Sequence, residues 1–320
     1  MISIKNVSKC YQESYGKFFK KNKKTSFLAL NNINLYIKEG ESIALIGPNG
    51  AGKSTLIKIL TGMMIPTSGE VKVFNMNPFK QRKQITYLIG SVFGQKSQLL
   101  YHLPVIDSFK LIGAIYGMKK DEIQNRVNEL SQTLGFSEYL NKPVRKLSLG
   151  ERMRVEIAIS LIHNPKLLFL DEPTLGLDLV VKDELRAALK KLNLDKKVGI
   201  ILTSHDIGDV EDISDRICII NKGELVLDKS RDQISQDFLN MRNISINFTS
   251  CITDEEYEQL CNLKLSGLRK TSQLNIEFYL DTTETELAFI IGNIDKIKKV
   301  SDIKNETLSL EEIIKKIYKD

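Results

Sequence analysis

The sequence predicts an α/β fold built around a mostly parallel β-sheet. Short apolar segments of strand length, such as residues 167–170 and 198–202, are separated by longer stretches with helical polar faces. Another apolar strand, at residues 42–46, runs into a glycine-rich loop and then a helix at residues 55–61, which is the βα unit of such sheets. The composition agrees, because 42% hydrophobic and 27% charged residues are ordinary for a chain that buries a core.

The other predicted elements lie in order before and after this unit. Residues 2–7 alternate as a strand ahead of a lysine-rich stretch, and residues 28–37 resume the alternation before a turn at Gly40. Gly62 ends the helix that follows the glycine-rich loop. A second helix begins after Ser148. The remaining elements are a largely helical region and three buried strands, at residues 105–140, 167–170, 198–202 and 217–220.

A second domain is predicted at the C-terminus, because the composition changes after Asp228 and no phosphate-binding pattern follows. Two segments there alternate as strands and a third has the spacing of an amphipathic helix, at residues 244–248, 274–278 and 308–318. We therefore predict a first domain at residues 1–228 and a small accessory α+β domain at residues 229–320.

The composition also disfavours several classes of protein. No apolar run approaches the about 18 residues that span a bilayer, and residues 1–5 lack the layout of a signal peptide, so we expect a cytoplasmic protein. The net charge of +6 is spread along the chain, which predicts no nucleic-acid partner and is compatible with work near an anionic membrane. The cysteines are too widely spaced for a metal or disulfide pattern, at Cys10, Cys218, Cys251 and Cys261.

A phosphate-binding loop is predicted directly after the strand at residues 42–46. Its glycines let successive backbone N–H groups turn toward phosphate oxygens, and the following helix adds its positive N-terminal end. Lys53 is expected to reach the β- and γ-phosphates, and the Ser54 hydroxyl to ligate Mg²⁺. The expected nucleotide-binding residues here are Gly47, Pro48, Asn49, Gly50, Ala51, Gly52, Lys53, Ser54 and Thr55.

Two acidic residues end the buried strand at residues 167–170. Asp171 and Glu172 are thereby placed at the carboxyl edge of the sheet, where ligands of open α/β sheets bind. Asp171 suits a contact to Mg²⁺, and Glu172 suits the activation or positioning of an attacking water molecule. Many buried strands end in acidic residues, so this prediction depends on the pairing with the phosphate-binding loop.

A third motif, at residues 147–151, has the character of a capped helix start that presents Ser148 and backbone N–H groups to an anion. The order of the three motifs along the chain resembles that of the ABC ATPases. The resemblance covers roughly residues 1–228. It also includes Asp171-Glu172-Pro173-Thr174 followed by Leu175-Gly176-Leu177-Asp178, Gln95 in residues 92–95, and His205 in residues 203–206.

The resemblance implies an ABC-type P-loop NTPase fold in the first domain. That fold has a RecA-like parallel-sheet core, an antiparallel β subdomain and a helical subdomain that carries the signature motif at residues 147–151. It also implies an ATPase that uses ATP and Mg²⁺. Two subunits would enclose two MgATP, each between the phosphate-binding loop of one subunit and the signature of the other.

The same resemblance assigns roles to residues around the nucleotide. Tyr11 matches the aromatic residue that stacks on adenine, with Tyr15 and Phe18 as weaker candidates. Gln95 matches the residue that contacts Mg²⁺ and the water while sensing the membrane subunit, and His205 matches the residue that contacts the γ-phosphate. Both therefore join the glutamate of the acid pair as expected catalytic residues.

The signature motif supplies the expected contacts across the dimer. Ser148, Gly150 and Glu151 match residues that close over the other subunit's ATP, and Asp178 matches the link between the two sites. The sequence departs from the commonest signature at Leu149, where glycine is usual, and at Glu151, where glutamine is usual. Both changes occur within the family and bear on the geometry of dimer closure.

Shorter segments of the sequence indicate a subgroup of the ABC ATPases and the partners that its members use. Residues 94–99, residues 103–109 and the lysine-rich insertion at residues 17–24 resemble ABC-2-type exporter ATPases, closest to the branch named for viologen and antibiotic efflux. Residues 308–314 are similar to the end of daunorubicin-resistance-type ATPases. This implies a peripheral protein at the cytoplasmic face of the membrane. It would work as a homodimer, or with a closely related ABC subunit, on a separately encoded ABC-2-type permease.

Two other functions remain open at this stage. ATPases of polysaccharide exporters also carry insertions after the adenine-stacking aromatic residue. A soluble ABC protein that acts on ribosomes or DNA is less consistent with the sequence, because this chain has one cassette and neither long coiled coils nor zinc motifs. The lysine-rich insertion at residues 17–24 suits either a solvated loop or contact with the membrane or permease.

Overall fold

The chain forms two compact units, Met1–Ser230 and Arg231–Asp320. The division lies two residues after the domain boundary that the composition suggests. No helix of the described residues is both long enough and apolar enough to cross a bilayer. The computed structural model describes four stretches of the chain, residues 1–15, 23–93, 97–283 and 286–319.

The first unit contains the following strands and helices. Its strands are β1 Ile2–Tyr15, β2 Lys23–Ile37, β3 Ser42–Ile46, β4 Ser68–Val73, β5 Ile89–Phe93, β6 Leu167–Asp171, β7 Gly199–Thr203, β8 Arg216–Asn221 and β9 Glu224–Ser230. Its α-helices are α1 Lys53–Leu60, α2 Arg82–Thr86, α3 Val105–Ile115, α4 Lys120–Leu134, α5 Leu149–Ser160, α6 Leu179–Lys196 and α7 Ile207–Ile213.

A six-stranded sheet forms the centre of the first unit, in the order β5-β6-β7-β3-β8-β9. The first five strands of that order are parallel, and β9 pairs antiparallel with β8. Every residue of β3 and β7 is buried, as expected for apolar strands covered on both faces. Because β3 and β6 flank β7, the loops after β3 and β6 leave the same edge of the sheet. The prediction of a parallel-sheet core is confirmed.

Two further parts complete this unit. The strands β1, β2 and β4 form an antiparallel sheet in the order β2-β1-β4, and its apolar face shares one core with α1 and the central sheet. The helices α3, α4 and α5 pack against one another beside this core. Buried Phe109 and Phe136 stack there with ring centroids 5.6 Å apart. The antiparallel and helical subdomains expected from the family resemblance are therefore confirmed.

Some local expectations differ from the structure. The helical region at residues 105–140 is divided, because α3 ends at Ile115 and Gly117 adopts φ +75° before α4 begins. Three strands of the first unit have no counterpart among the strands predicted from the sequence. Four of the six residues of β4 and all seven residues of β9 are exposed or half-exposed, so neither strand has a clear apolar alternation. Gly90 and Ser91 interrupt the short apolar run of β5.

The second unit is α+β. Its sheet has the order β11-β12-β10-β13, and all its pairings are antiparallel. Leu260 and Ile294 from two of its helices pack on one face of this sheet against Ile246 and Phe278. The elements are α8 Arg231–Asp237, β10 Met241–Phe248, α9 Asp254–Cys261, β11 Ser266–Ser272, β12 Asn275–Asp281, α10 Leu287–Ile297, β13 Val300–Thr307 and α11 Leu310–Lys319.

Candidate nucleotide site

Two glycines hold the loop between β3 and α1 against its neighbours, because neither leaves room for a side chain. A Cβ atom on Gly47 would lie 2.1 Å from the Ile220 carbonyl oxygen, and one on Gly52 would lie 2.5 Å from the Ala29 carbonyl oxygen. Gly50 and Gly52 also adopt φ +82° and +112°, which other residues rarely adopt. Nothing lies within 4 Å of a Cβ placed on Gly50. The loop is therefore held against its neighbours on one side and is open at Gly50.

The start of α1 is a place where an anion can bind. The residue before the helix, Gly52, provides no side-chain cap, and the first turn contains no acidic residue. The first backbone N–H groups of the helix therefore lack intrahelical partners at the positive end of the helix dipole. The side chain of Ser54 is exposed at this end.

Lys53 holds its ammonium group inside the loop. Its Nζ donates to the Gly47 carbonyl oxygen and, at 3.2 Å, to the Pro48 carbonyl oxygen. One of its three N–H bonds is left for another acceptor. Burial lowers the pKa of Lys53, and the carboxylates of Glu172 and Asp171 act in the opposite direction. The acid pair at the end of β6 thus lies close enough to the lysine to influence its charge.

The acid pair is held by the neighbouring strand β7. Thr203 donates its hydroxyl to Asp171 Oδ1 at 2.6 Å, and its carbonyl and hydroxyl oxygens both accept from the Glu172 backbone N–H at 3.1 Å. Glu172 adopts φ +53°, a strained conformation for a residue with a side chain. His205 Nδ1 lies 2.8 Å from Glu172 Oε2. The structure therefore brings together Lys53 and the three side chains Asp171, Glu172 and His205.

A buried ion pair ties together the loops that carry Glu172 and His205. Asp209 is fully buried, and its Oδ2 accepts the Thr174 hydroxyl at 2.5 Å and the Ser204 hydroxyl at 2.6 Å. Its Oδ1 accepts Arg186 Nε at 2.8 Å, and Arg186 also donates to Asp206 Oδ1 at 2.9 Å. Thr174 follows Glu172 by two residues and Ser204 directly precedes His205, so one carboxylate fixes both loops.

Sequence reasoning missed this ion pair, although a signal for it exists. Asp209 precedes Val210 and lies four residues before Ile213, so it falls on the apolar face of α7. Arg186 lies between Leu185 and Leu189 on α6 in the same way. A charged residue on the buried face of each of two neighbouring helices is the pattern that could have predicted their pairing.

The signature motif forms the start of α5, as the capping pattern predicts. Ser148 Oγ accepts from the Glu151 backbone N–H at 3.2 Å, and Glu151 Oε2 accepts from the Ser148 backbone N–H at 2.7 Å. A Cβ on Gly150 would lie 2.5 Å from Val181 Cγ1, so this glycine allows α5 to pack closely on α6. Among the described residues, no hydrogen bond or ion pair joins this motif to the phosphate-binding loop of the same chain.

Tyr11 lies beside the start of α1. Its hydroxyl is 3.3 Å from Thr55 Oγ1 and 3.2 Å from Met64 Sδ. This position is compatible with the expected contact to adenine next to the phosphate-binding loop. Asp178 caps α6 by accepting the Val181 backbone N–H at 3.0 Å. Other expectations fall outside the described part of the chain, namely the side chain of Tyr15, Phe18, Gln95 and the side chains of the lysine-rich insertion.

The site has a cationic loop and a carboxylate pair on one edge of the sheet. Within the described ranges, no group of three or more His, Cys, Asp or Glu side chains is arranged to hold a metal ion by itself. The hydroxyl of Ser54 and the carboxylate of Asp171 would instead supply oxygen ligands that suit Mg²⁺ together with a bound phosphate. The arrangement suits an anionic phosphate substrate whose hydrolysis needs a positioned carboxylate.

Comparisons with known proteins agree with this geometry. The family model described as ABC transporter matches residues 30–175. The chain is 38% identical over 232 residues to the lantibiotic transport ATP-binding protein SrtF of Streptococcus pyogenes, covering 72% of this chain and 92% of that protein. It is 34% identical over 215 residues to the bacitracin transport ATP-binding protein BcrA of Bacillus licheniformis, covering 67% of each.

A solved structure is similar to the first unit. It is a dimeric ATP-binding cassette in a post-hydrolysis state, bound to ADP and Pi. The sequence identity is 30%, the TM-score is 0.62, and the match covers 72% of this chain and 98% of the other.

Proposed function

The chain belongs to the ATP-binding proteins of ABC transporters, and we propose that it powers export through a separately encoded ABC-2-type membrane permease. It binds ATP and hydrolyses it to ADP and phosphate. The observation that supports hydrolysis at this site is the fixed arrangement of Glu172, which Thr203 and His205 hold at the sheet edge beside Lys53. Export and the residue roles described below are part of this proposal, because family membership does not by itself assign them.

We assign nucleotide binding to the loop and the start of α1. The backbone N–H groups around Gly50 and the free N–H of Lys53 would bind the phosphate oxygens. Ser54 and Asp171 would hold Mg²⁺, which neutralises phosphate charge when it is bound. Tyr11 would stack on the base. The uncapped helix start and the open side of the loop at Gly50 support this assignment.

Glu172 is assigned to the attacking water. Its backbone N–H is held by two oxygens of Thr203, so the carboxylate projects from a fixed point. A carboxylate in hydrogen-bond reach of water can accept its proton or orient it for in-line attack. His205 contacts one carboxylate oxygen and leaves the other for the water. His205 is exposed, so it can also approach a γ-phosphate.

A second copy of this chain, or a closely related subunit, is proposed to cover the signature face. Four large apolar side chains around Ser148 and Asp178 are between 50% and 71% exposed. Contiguous exposed apolar side chains mark contact surfaces. The dimeric state of the similar solved cassette supports the same conclusion. The four residues are Leu149, Leu175, Leu179 and Val180.

Export and peripheral membrane attachment are inferred from the relatives. The two relatives described above are named as transport ATP-binding proteins for lantibiotic and bacitracin. A cargo of this antibiotic or drug-like class, and a location at the cytoplasmic face of the membrane, are proposed by analogy with them.

The test compares the wild-type chain with Glu172→Gln. The amide keeps the shape but cannot accept a proton, so ATP hydrolysis should fall at least about a hundredfold. ATP affinity should stay near wild type, and size-exclusion chromatography with light scattering should show an ATP-dependent dimer. Adding Ser148→Arg should prevent that dimer and leave ATP binding to the monomer intact. Hydrolysis near the wild-type rate in Glu172→Gln would remove this residue from the reaction.

A further inference from the structure

A cavity in the second unit has the properties of a small-molecule site. Its volume is about 520 Å³, within the roughly 300 to 1,000 Å³ of typical ligand pockets. The walls come from the start of β10, the end of β12, the helices α10 and α11, and the connection between α9 and β11. None of the residues assigned to the nucleotide site contributes to it.

Aromatic and aliphatic side chains line part of the cavity. A Cβ atom on Gly267 would lie 2.7 Å from a ring carbon of Tyr279, and Gly267 has φ +67°. The glycine therefore makes room for the ring. Phe289 is 66% exposed, although its neighbour Ile290 is buried in the core of the unit. A ligand with an apolar body would cover Phe289 and pack against Tyr279.

Two lysines give the cavity its charge. Among the described residues, no carboxylate oxygen lies within 4.0 Å of the ammonium groups of Lys264 or Lys316. Lys316 Nζ donates to the Met241 sulfur at 3.9 Å, and the pKa of Asp281 is lowered by hydrogen bonds from Thr283 and, after them, by the charge of Lys316. The one acidic residue of the lining, Asp281, accepts from the backbone N–H and hydroxyl of Thr283 at 2.9 and 2.6 Å. The cavity therefore carries an excess of positive charge.

Some other lysines of the unit differ in this respect. Lys298 pairs with Glu256 at 3.0 Å, and Lys299 pairs with Asp295 at 2.8 Å. In the described part of the chain, Lys270, Lys296 and Lys304 also have no carboxylate within 4.0 Å, so Lys264 and Lys316 are distinguished by their place in the wall of the cavity. An ammonium group favours an anion, and aromatic surface favours an apolar body. The two lysines and the aromatic lining therefore indicate a ligand that has both parts.

We propose that this cavity binds a small amphipathic anion, with an aromatic or apolar body and a carboxylate, sulfonate or phosphate group. Lys264 and Lys316 bind the anionic group, and Tyr279 and Phe289 contact the body. The proposal rests on the second unit alone and does not depend on the nucleotide site. The second unit is thereby assigned a ligand-binding role.

The probe for this site is 1-anilinonaphthalene-8-sulfonate, an aromatic sulfonate whose emission rises in apolar surroundings. The full chain is titrated in saturating MgADP, which keeps the nucleotide site occupied. The chain contains no tryptophan, so Phe289→Trp places a single indole at the rim of the cavity. We expect one saturable site per chain, with quenching of the indole and energy transfer to the probe.

Two matched double variants decide between specific and general binding. Lys264→Ala with Lys316→Ala should weaken probe binding about tenfold or more, because two charge-assisted contacts are lost. Lys299→Ala with Lys315→Ala removes the same charge from exposed paired lysines and should change affinity less than about twofold. Far-UV circular dichroism and ATPase activity check that each variant is folded.

Two outcomes would overturn the proposal. These are the absence of a saturable site and equal affinities of the two double variants for the probe.

Discussion

Replacing Asp209 by alanine is the sharpest test of how the loops that carry Glu172 and His205 are held. The carboxylate of Asp209 accepts three hydrogen bonds, from Arg186 Nε, the Thr174 hydroxyl and the Ser204 hydroxyl, at 2.5 to 2.8 Å. All three donors belong to buried residues. Asp209→Ala leaves Thr174 and Ser204 without this acceptor, and Arg186 keeps its bond to Asp206.

The expected loss of stability follows from these contacts. A hydrogen bond to a charged group contributes about 1.5 to 3 kcal/mol, and breaking a buried ion pair from one side costs about 3 to 5 kcal/mol. Because Arg186 retains Asp206, we expect a total of about 3 to 5 kcal/mol. For a unit of the size of Met1–Ser230, this corresponds to a decrease in Tm of roughly 6 to 20 °C.

The matched control is Asp183→Ala. Asp183 also bonds Arg186, at 3.1 Å, but its side chain is 61% exposed. Surface pairs of this kind contribute about 0 to 1 kcal/mol. Differential scanning calorimetry measures both variants, and added nucleotide identifies the transition of the first unit because it stabilises only the folded site. Equal shifts in Tm for the two variants would refute the assignment of Asp209 as the central residue of this cluster.

Asp209→Ala should lower the rate of ATP hydrolysis while leaving the affinity for ATP nearly unchanged. Asp209 makes no hydrogen bond to the phosphate-binding loop within the described residues, so the affinity for ATP should change less than about threefold. The kcat should fall tenfold or more, because Glu172 and His205 are then held less rigidly; a misplacement of about 1 Å can lower a rate about a hundredfold. A rise in KM with unchanged kcat would contradict the proposed positioning role.

Three other changes give distinct outcomes. Lys53→Ala should weaken ATP binding by tenfold or more in calorimetry, whereas Lys58→Ala on the same helix should not; equal affinities would count against the phosphate-binding loop. Tyr11→Ala should weaken ATP binding about tenfold through lost stacking, and Tyr11→Phe should bind like wild type; loss of affinity in both would assign the effect to the Thr55 contact instead. Replacing the five lysines between residues 17 and 24 by serine should reduce binding to anionic vesicles, at up to about 1 kcal/mol each, without lowering ATPase activity; unchanged vesicle binding would favour a solvated loop.

The parts of the site that sequence alone predicts are those set by local rules. A strand followed by closely spaced glycines places Lys53 and Ser54 at a helix start, and a buried strand ending in Asp171 and Glu172 places acids at the sheet edge. The contacts that fix these acids are not local. Thr203 reaches Asp171 across 32 residues, and its hydroxyl carries no pattern that singles it out in the sequence. The contacts of Thr203 therefore depend on the pairing of β6 with β7.

The two departures from the commonest ABC signature have local physical explanations. Glu151 completes the capping box of α5, and a carboxylate in the first turn of a helix also interacts favourably with the helix dipole. Leu149 Cδ2 would lie 3.3 Å from a Cβ on Gly176, so the leucine covers this glycine and extends the exposed apolar surface around Asp178.

Both departures, Leu149 and Glu151, lie on the proposed dimer face. Glu151 stabilises the helix start that presents Ser148, and Leu149 enlarges the apolar area that a second subunit would bury. Burial of apolar surface contributes about 25 cal/mol per Å², so an added leucine strengthens closure more than glycine would. Glycine at position 149 would also make the first turn of α5 less stable, because glycine loses more backbone freedom in a helix. The departures thus favour a rigid signature and a more apolar contact, which is consistent with a dimer that closes when ATP binds.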